Sequence, residues 1–422
     1  MRPHDHDRPH VVLVHRYFYP DTPPYATLLR DIAVMLAHAG LAVTVLTCQP
    51  SYNLAAANRA PVHEEMAPRL HIRRWPVLPD RSSGMAKVVN LLSFVSRVVF
   101  TLARMRRVDV VMAASTPPVF VALFVSVIAR IRGFQFAYHK QDIYPEITAG
   151  KGGLPPLVRS LLRKLDAGTD SRARAVVVLS TDMEATIRAR GGRLDRIAVI
   201  NNYDPWVLPP GSMPHPSSER GCRTEGAELK IMYAGNLGRF QNIPRIADLM
   251  AYFNGDPRVS FDIAGDGPLR PWLEQFAEIN ALRNVCFHGY VAPDRLATMM
   301  RHEFDVGIVS LHPGVIRNAY PSKTLSYLRN GLPVLALVET DSQLSRTLRR
   351  HGAGWSADPR SATGAEEVVQ ALLDDPAAMG GLRERAQSVY ECEFGRVGQL
   401  RRWSDLFDDL LGTGARQLAE LN

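Results

Sequence analysis

The residues best suited to hold a charged group lie in one short stretch, Tyr233-Ala-Gly-Asn-Leu-Gly-Arg239. Gly235 and Gly238 let the backbone turn tightly and approach a phosphate where a side chain would block it. Arg239 can neutralise a diphosphate through a forked, charge-assisted pair. The same letters also describe an ordinary glycine turn followed by a surface arginine. Ala264-Gly-Asp-Gly-Pro-Leu269 is a second such piece, read by itself as a turn chosen for its glycines rather than as a phosphate site. A third is Tyr320-Pro-Ser-Lys-Thr-Leu-Ser-Tyr-Leu-Arg-Asn-Gly331. Here Pro321 suits a helix start, Ser322 and Thr324 can cap, and Gly331 suits a helix end. Such a helix presents free N–H groups and the positive end of its dipole to an anion, with Lys323 adding a formal charge. In the first half of the chain the comparable stretches are Tyr17 to Ala26 and His139-Lys-Gln-Asp142-Ile-Tyr-Pro-Glu146. His139 and Asp142 can handle protons or sugar hydroxyls, although a structural hydrogen bond is the usual explanation for a histidine near an aspartate and only the place after a strand favours function. No Ser-His-Asp arrangement, H-E-x-x-H or G-K-[ST] occurs, which argues against hydrolase and P-loop chemistry.

These pieces need elements that bring them to common edges. Val11 to Val14 is a β-branched run, Leu28, Leu29, Ile32, Leu36 and Ala37 recur at helical spacing, and Ala42 to Leu46 is a second strand. That βαβ unit signals a parallel sheet covered by helices. Strands are expected again at 109–114, 134–138, 175–179 and 197–200, with a helix over 154–165. Residues 206–228 are rich in proline and serine and read as a linker. Alternation restarts with strands at 230–235, 259–264, 285–288, 306–309 and 333–336. The expected fold is therefore α/β, two Rossmann-like domains facing a cleft, with chemistry in the loops after the strands.

Composition narrows the field. The chain has 422 residues, 46% hydrophobic and 22% charged, which fits a packed protein of two or three domains and excludes a disordered one. Its net charge of +8 favours anionic partners. Cys48, Cys222, Cys286 and Cys392 lie far apart with no C-x-x-C pair, so no metal site and no disulfide framework is expected. The first ten residues carry three histidines and no apolar core, and read as a polar leader rather than a secretory signal. Val88 to Phe100 and Val119 to Ile128 are apolar but fall short of the ~20 residues that a span needs. With Arg97, Arg104, Arg106 and Arg107 at its rim, the first is either an amphipathic helix lying on an anionic leaflet or a core helix with a basic end.

Taken in order, these tags resemble a GT-B fold glycosyltransferase of family 4, in particular the WbuB-like branch of bacterial exopolysaccharide and O-antigen enzymes. The likeness covers about residues 10 to 410 and rests on Tyr17-Phe-Tyr-Pro20, Asn90-Leu-Leu-Ser-Phe94, Ser115-Thr-Pro-Pro118 and Asp142-Ile-Tyr-Pro-Glu146. It continues through Tyr233 to Gly238, Ala264 to Pro268 and Pro321-Ser-Lys-Thr324. It implies a retaining transfer from a nucleotide-sugar donor, UDP- or GDP-linked, to a lipid-linked or saccharide acceptor, without metal or bound cofactor. It further implies an acceptor domain at 1–205, completed by a final helix within 396–422, and a donor domain at 229–395. Gly235, Asn236, Gly238, Arg239 and Gly265 would face the donor diphosphate. Ser322, Lys323 and Thr324 would bind its phosphates, the backbone at Gly289 and Tyr290 its base, and Ser326 its ribose. His139 and Asp142 would act at the sugar, and Tyr19, Pro24 and Tyr25 on the acceptor. The family's E-x7-E pattern falls on Asn318 and Ser326, and a second basic residue after Arg239 is replaced by Gln241-Asn242.

The expectation is a cytoplasmic enzyme, peripheral on the inner face of the membrane, that builds an envelope polysaccharide precursor. Two rivals remain at this level: a nucleotide-sugar epimerase of the same fold, and a degenerate transferase kept as a scaffold subunit. Nucleic acid is not an expected partner, because the arginines are dispersed rather than interleaved with aromatics.

Overall fold

A computed structural model describes residues 8–21, 23–51, 60–78, 84–148, 154–192, 194–205 and 227–412. The proposed linker falls almost wholly outside the described residues, as do Cys222 and the first two histidines. The chain divides into two compact units. One comprises Met1–Pro205, Asn318–Tyr320 and Arg396–Asn422, and the other Trp206–Arg317 and Pro321–Gly395.

The first unit runs β1 (His10–Val14), α1 (Pro24–His38), β2 (Ala42–Cys48), β3 (His63–Ala67), β4 (Leu70–Trp75), α2 (Gly84–Arg104) and β5 (Val110–Ala114). It continues with α3 (Phe120–Arg132), β6 (Gln135–His139), α4 (Pro156–Asp170), β7 (Ala175–Val178), α5 (Thr181–Ala189) and β8 (Ile197–Val199). The sheet order is β3-β4-β2-β1-β5-β6-β7-β8, and every pairing is parallel except β3 with β4. The second unit carries β9 (Leu229–Ala234), α6 (Ile243–Tyr252), β10 (Val259–Ala264), α7 (Arg270–Ile279), β11 (Val285–Gly289), α8 (Pro293–His302) and β12 (Val306–Ser310). It is completed by α9 (Lys323–Arg329), β13 (Val334–Leu337), α10 (Gln343–His351), β14 (Gly354–Ala357), α11 (Gly364–Asp374) and α12 (Leu382–Val389). Its all-parallel sheet is ordered β11-β10-β9-β12-β13-β14.

The last helix, α13 (Arg396–Leu411), belongs to the first unit. Trp403, Leu406, Phe407 and Leu410 enter the same core as Leu28, Leu29, Ile32 and Leu36 of α1. Asp31 of α1 fixes the junction: its carboxylate accepts from Arg396 Nε and from the Tyr203 hydroxyl, both at 2.9 Å.

Three elements depart from the sequence expectation. The β3–β4 hairpin has no clean apolar alternation; buried Arg74 on β4 holds it together by bonding Glu64 and the carbonyls of Pro61 and Tyr19. The four-residue β14 is too short to leave a periodic signal. Helix α2 starts at Gly84 and reaches 21 residues, so by length and composition Met85–Arg104 is apolar enough to cross a membrane. One face of it, Ala86, Asn90, Phe94, Val98 and Leu102, is buried in this unit.

Candidate functional site

In the second unit β9 is flanked by β10 and β12, so the connections diverge there and the loops after β9 and β12 open at the switch point. Ligands of open parallel sheets gather at such points. Gly235 opens the loop after β9 with φ +130, a conformation that a side chain resists. Gly265, at φ +146, lies directly against it: a Cβ there would fall 2.0 Å from the Gly235 carbonyl oxygen. Gly235 N–H donates to Ala264 O at 2.8 Å and Gly265 N–H to Gly289 O at 2.7 Å, which laces the ends of the three strands together. Gly265 is thus required for backbone packing, whatever it contributes to a ligand. Gly238 has no left-handed φ, and a Cβ there would meet only the ends of the Asn236 and Gln241 side chains, 2.7 and 2.8 Å away, which can swing aside.

Lys323 supplies the charge. Its stem is partly exposed, but its Nζ is shut off, has no hydrogen-bond partner and lies 3.7 Å over the Tyr233 ring. A Cβ on Gly235 would come within 3.9 Å of that nitrogen. Burial pushes the Lys323 pKa from 10.5 down to about 7. A buried amine with no acceptor beside a glycine turn is a site shaped for an anion.

The expected capping is corrected. Ser322 occupies the cap position of α9 without a side-chain bond, and the helix has only seven residues. Thr324 is fully buried, its hydroxyl makes no hydrogen bond, and its N–H donates to Pro321 O at 3.1 Å. The N–H of Leu325 donates to Ser322 O, so fewer free amides face outward than the motif suggested. What holds α9 in place is Tyr327, whose hydroxyl accepts from Ala234 N–H at 2.7 Å and whose ring packs on Gly307. Nothing in the sequence singles out Tyr327 except its place one helical turn after Lys323. Half-buried Ser326 uses its carbonyl on Asn330, and Asn318 groups with the first unit. Arg239 is exposed and makes no ion pair among the described residues. Gly289 has φ +64, and Tyr290 beyond it is 77% exposed.

In the first unit His139 ends β6, but it does not reach an open edge. It is fully buried among Tyr25, Trp403 and His15, with ring centroids 5.2 Å from Tyr25 and 4.8 Å from Trp403. Its Nδ1 bonds the Tyr25 hydroxyl and its Nε2 the Gln141 amide, both at 2.8 Å, and Gln141 in turn accepts from Asn202. Burial, with His15 nearby, pushes its pKa down to about 3. His139 therefore sits inside a buried hydrogen-bond network rather than at an open strand end, and burial disfavours its charged form. Tyr25, expected at the acceptor, is likewise buried behind it. Pro24 is exposed as the first residue of α1, and Tyr19, 41% exposed, lies under the Arg30 guanidinium at 4.7 Å.

Asp142 is half-buried after β6, and burial pushes its carboxyl up to about 6. Its loop is anchored by a charged cluster absent from the sequence reading. Arg190 Nη2 bonds Tyr144 O and Glu146, both at 2.6 Å, while its Nη1 reaches Asp166 at 2.5 Å and Asp170 at 2.9 Å. Lys140 closes the cluster on Asp166 and Asp170. Burial alone would raise the Asp166 carboxyl, but Lys140 and Arg190 outweigh it and hold the group below its usual value. The members come from α4, from the residues just after β6 and just after α5, and from the loop that follows β6, so no local spacing reveals them.

Residues 25–203 match the family described as Glycosyl transferase 4-like domain, and residues 222–389 match Glycosyl transferases group 1. A probable glycosyltransferase of Pseudomonas aeruginosa, WbjE, is 24% identical over 308 residues, covering 71% of this chain and 74% of that protein. Among solved structures, sucrose-phosphate synthase of Thermosynechococcus elongatus superposes with a TM-score of 0.70 at 17% identity, covering 96% of this chain and all of that one. HepE of Anabaena, solved in complex with UDP, gives 0.65 at 14% identity over 95% of this chain and all of that one. At those identities the structural likenesses speak for the fold alone.

Proposed function

Because the chain is a GT-B glycosyltransferase of the family 4-like kind, we propose that it moves a sugar, with retention and without a metal in the transfer, from a nucleotide-sugar to a lipid-linked envelope polysaccharide precursor. The observation that carries the donor half is Lys323, a buried amine without a hydrogen-bond partner, beside the Gly235 turn at the β9/β12 switch point. As the nucleotide leaves, negative charge grows on its diphosphate, and Lys323 with the exposed Arg239 stabilises it. Removing one such group costs ~3 kcal/mol, about two orders in rate. UDP is the first donor class to test, since a fold neighbour was solved with it. Asp142, ionised above about pH 6, is the acid–base group of the first unit.

The acceptor half rests on α2, α3 and α4, which pack side by side. Met85, Val88, Leu92 and Phe100 of α2, Phe124 and Ile131 of α3, and Leu157 and Leu161 of α4 are all exposed. Lys87, Arg104, Arg130, Arg132, Arg163 and Lys164 are exposed beside them, and the only acidic residues on the three helices, Asp166 and Asp170, are buried in the Arg190 cluster. An apolar face with a basic rim suits an anionic leaflet, the inner face of a cell membrane, where a lipid-linked acceptor resides.

Thermal-shift titration with UDP, GDP and their sugar conjugates, without added metal, tests the donor half. Stabilisation by one nucleotide, lost in an Arg239→Ala, Lys323→Ala double variant, is expected. No shift at millimolar nucleotide would replace this reading with the scaffold subunit, for which the Asn318 and Ser326 replacements argue. Sedimentation with vesicles containing anionic lipid tests the membrane half, and failure to bind at low salt would remove it.

A further inference from the structure

On one edge of the second sheet, away from the Gly235 turn's own residues, three side chains of metal-binding type converge. Asp262 of β10 is paired in parallel register with Cys286 of β11. His288, two residues on, shares the Cys286 face of that strand. A carboxylate oxygen, the thiol sulfur and an imidazole nitrogen all lie within 4.8 Å of one another. His288 Nε2 is 2.6 Å from Asp262 Oδ1, and Asp262 and Cys286 are 8% and 2% exposed.

We propose that Asp262, Cys286 and His288 form a three-ligand site for a borderline divalent cation of the zinc class. The donor set argues for it. A thiolate and an imidazole favour Zn2+ or Co2+ and disfavour Mg2+ and Ca2+, which seek oxygen. One thiolate and one carboxylate carry two negative charges, so a divalent cation leaves the buried group neutral, taking over at the Asp262 carboxylate the place that His288 Nε2 holds without it. Two of the ligands come from hydrogen-bonded neighbouring strands, which fixes their spacing before the cation arrives. At ligand distances of about 2.0–2.3 Å the cation enters by widening the Asp262–His288 contact by less than ~1 Å. The thiol proton passes to solvent, the imidazole binds as the neutral base, and a water completes four ligands. His288 precedes Gly289, whose carbonyl accepts from Gly265 N–H, so the cation also braces that strand end. His288 adjoins Gly289, whose backbone is expected at the donor base, but ligation of the cation does not depend on that reading.

Full-length protein, reduced and stripped with a chelator, is titrated with Co2+. One equivalent is expected to produce a near-ultraviolet thiolate-to-cobalt charge-transfer band, bleached by Zn2+ and unaffected by a large excess of Mg2+. The Cys286→Ser variant loses the band, and His288→Asn weakens Co2+ binding about tenfold or more, with far-ultraviolet circular dichroism showing both folded. Should Cys286→Ser not fold, the His288→Asn result alone decides. Absence of the band in the parent protein, its persistence in Cys286→Ser, or unchanged affinity in His288→Asn overturns the proposal. Because the readout is the metal itself, a chain that fails to bind nucleotide can still pass this test.

Discussion

Replacing Lys323 by methionine is the sharpest perturbation of the donor site. Its amine is moved from 10.5 to about 7 by burial alone. At 1.36 kcal/mol for each pKa unit, holding the charged form in the fold costs about 5 kcal/mol. A diphosphate oxygen ~4 Å from the nitrogen returns about 4 kcal/mol at an effective dielectric of 20, enough to restore most of the charge. Binding must therefore take up a proton above pH 7. At pH 8 the free amine is about one-tenth charged and the bound amine nearly fully charged, so about nine-tenths of a proton is taken up. Affinity should fall about tenfold for each pH unit between roughly 7.5 and 9. The assay is calorimetric titration of the binding nucleotide diphosphate at pH 8 in buffers of different ionisation enthalpy. In Lys323→Met the proton uptake and this part of the pH slope disappear. The stability sign follows from the same shift. A lowered lysine pKa penalises the fold fully below about pH 7, and the penalty fades as pH rises towards 10.5. The ligand-free Lys323→Met protein should accordingly melt higher than the parent at pH 7. Equal proton uptake in the parent and in Lys323→Met would refute the reasoning, as would none in the parent.

Three further outcomes are expected. Arg190→Met leaves Lys140 as the one cation facing the buried Asp166 and Asp170 among the described residues, with the Tyr138 hydroxyl still donating to Asp166, and should lower stability by ~3–5 kcal/mol in urea titration, whereas a loss under 1 kcal/mol would deny the cluster its anchoring role. Gly265→Ala places a Cβ 2.0 Å from the Gly235 carbonyl at φ +146 and should cost about 3 kcal/mol or more, read as a lost or strongly lowered melting transition. Asp142, raised from 3.8 to about 6, favours the fold below pH 4 and loses that contribution as pH rises through 6, a change of about 3 kcal/mol. The melting temperature of Asp142→Asn should gain on the parent over that window, and a gap independent of pH would contradict the burial of the carboxylate.

The strand alternation was legible because buried parallel strands are short runs without charged or polar side chains and rich in β-branched residues: Val11 to Val14, Val306 to Val309 and their like need no tertiary information to be read. So were the glycine turns, since a left-handed φ at Gly235 or a helix end at Gly331 leaves one residue type as the easy choice. What a side chain faces was not legible. His139, the last residue of β6, and Lys323, the first of α9, both stand in suitable motifs, yet one is sealed behind Tyr25 and Trp403 while the other keeps a buried, unbonded amine beside a turn. The hairpin of β3 and β4 is held by Arg74, the Asp142 loop by Arg190, and α9 by Tyr327, through partners in other elements. Convergence of Asp262, Cys286 and His288 depends on the register between two strands. Local sequence determines which backbone shapes are cheap and which faces are apolar. Burial, pairing of charge and the resulting pKa values arise only when distant segments meet, because each depends on how much water and which partners the fold leaves around a group.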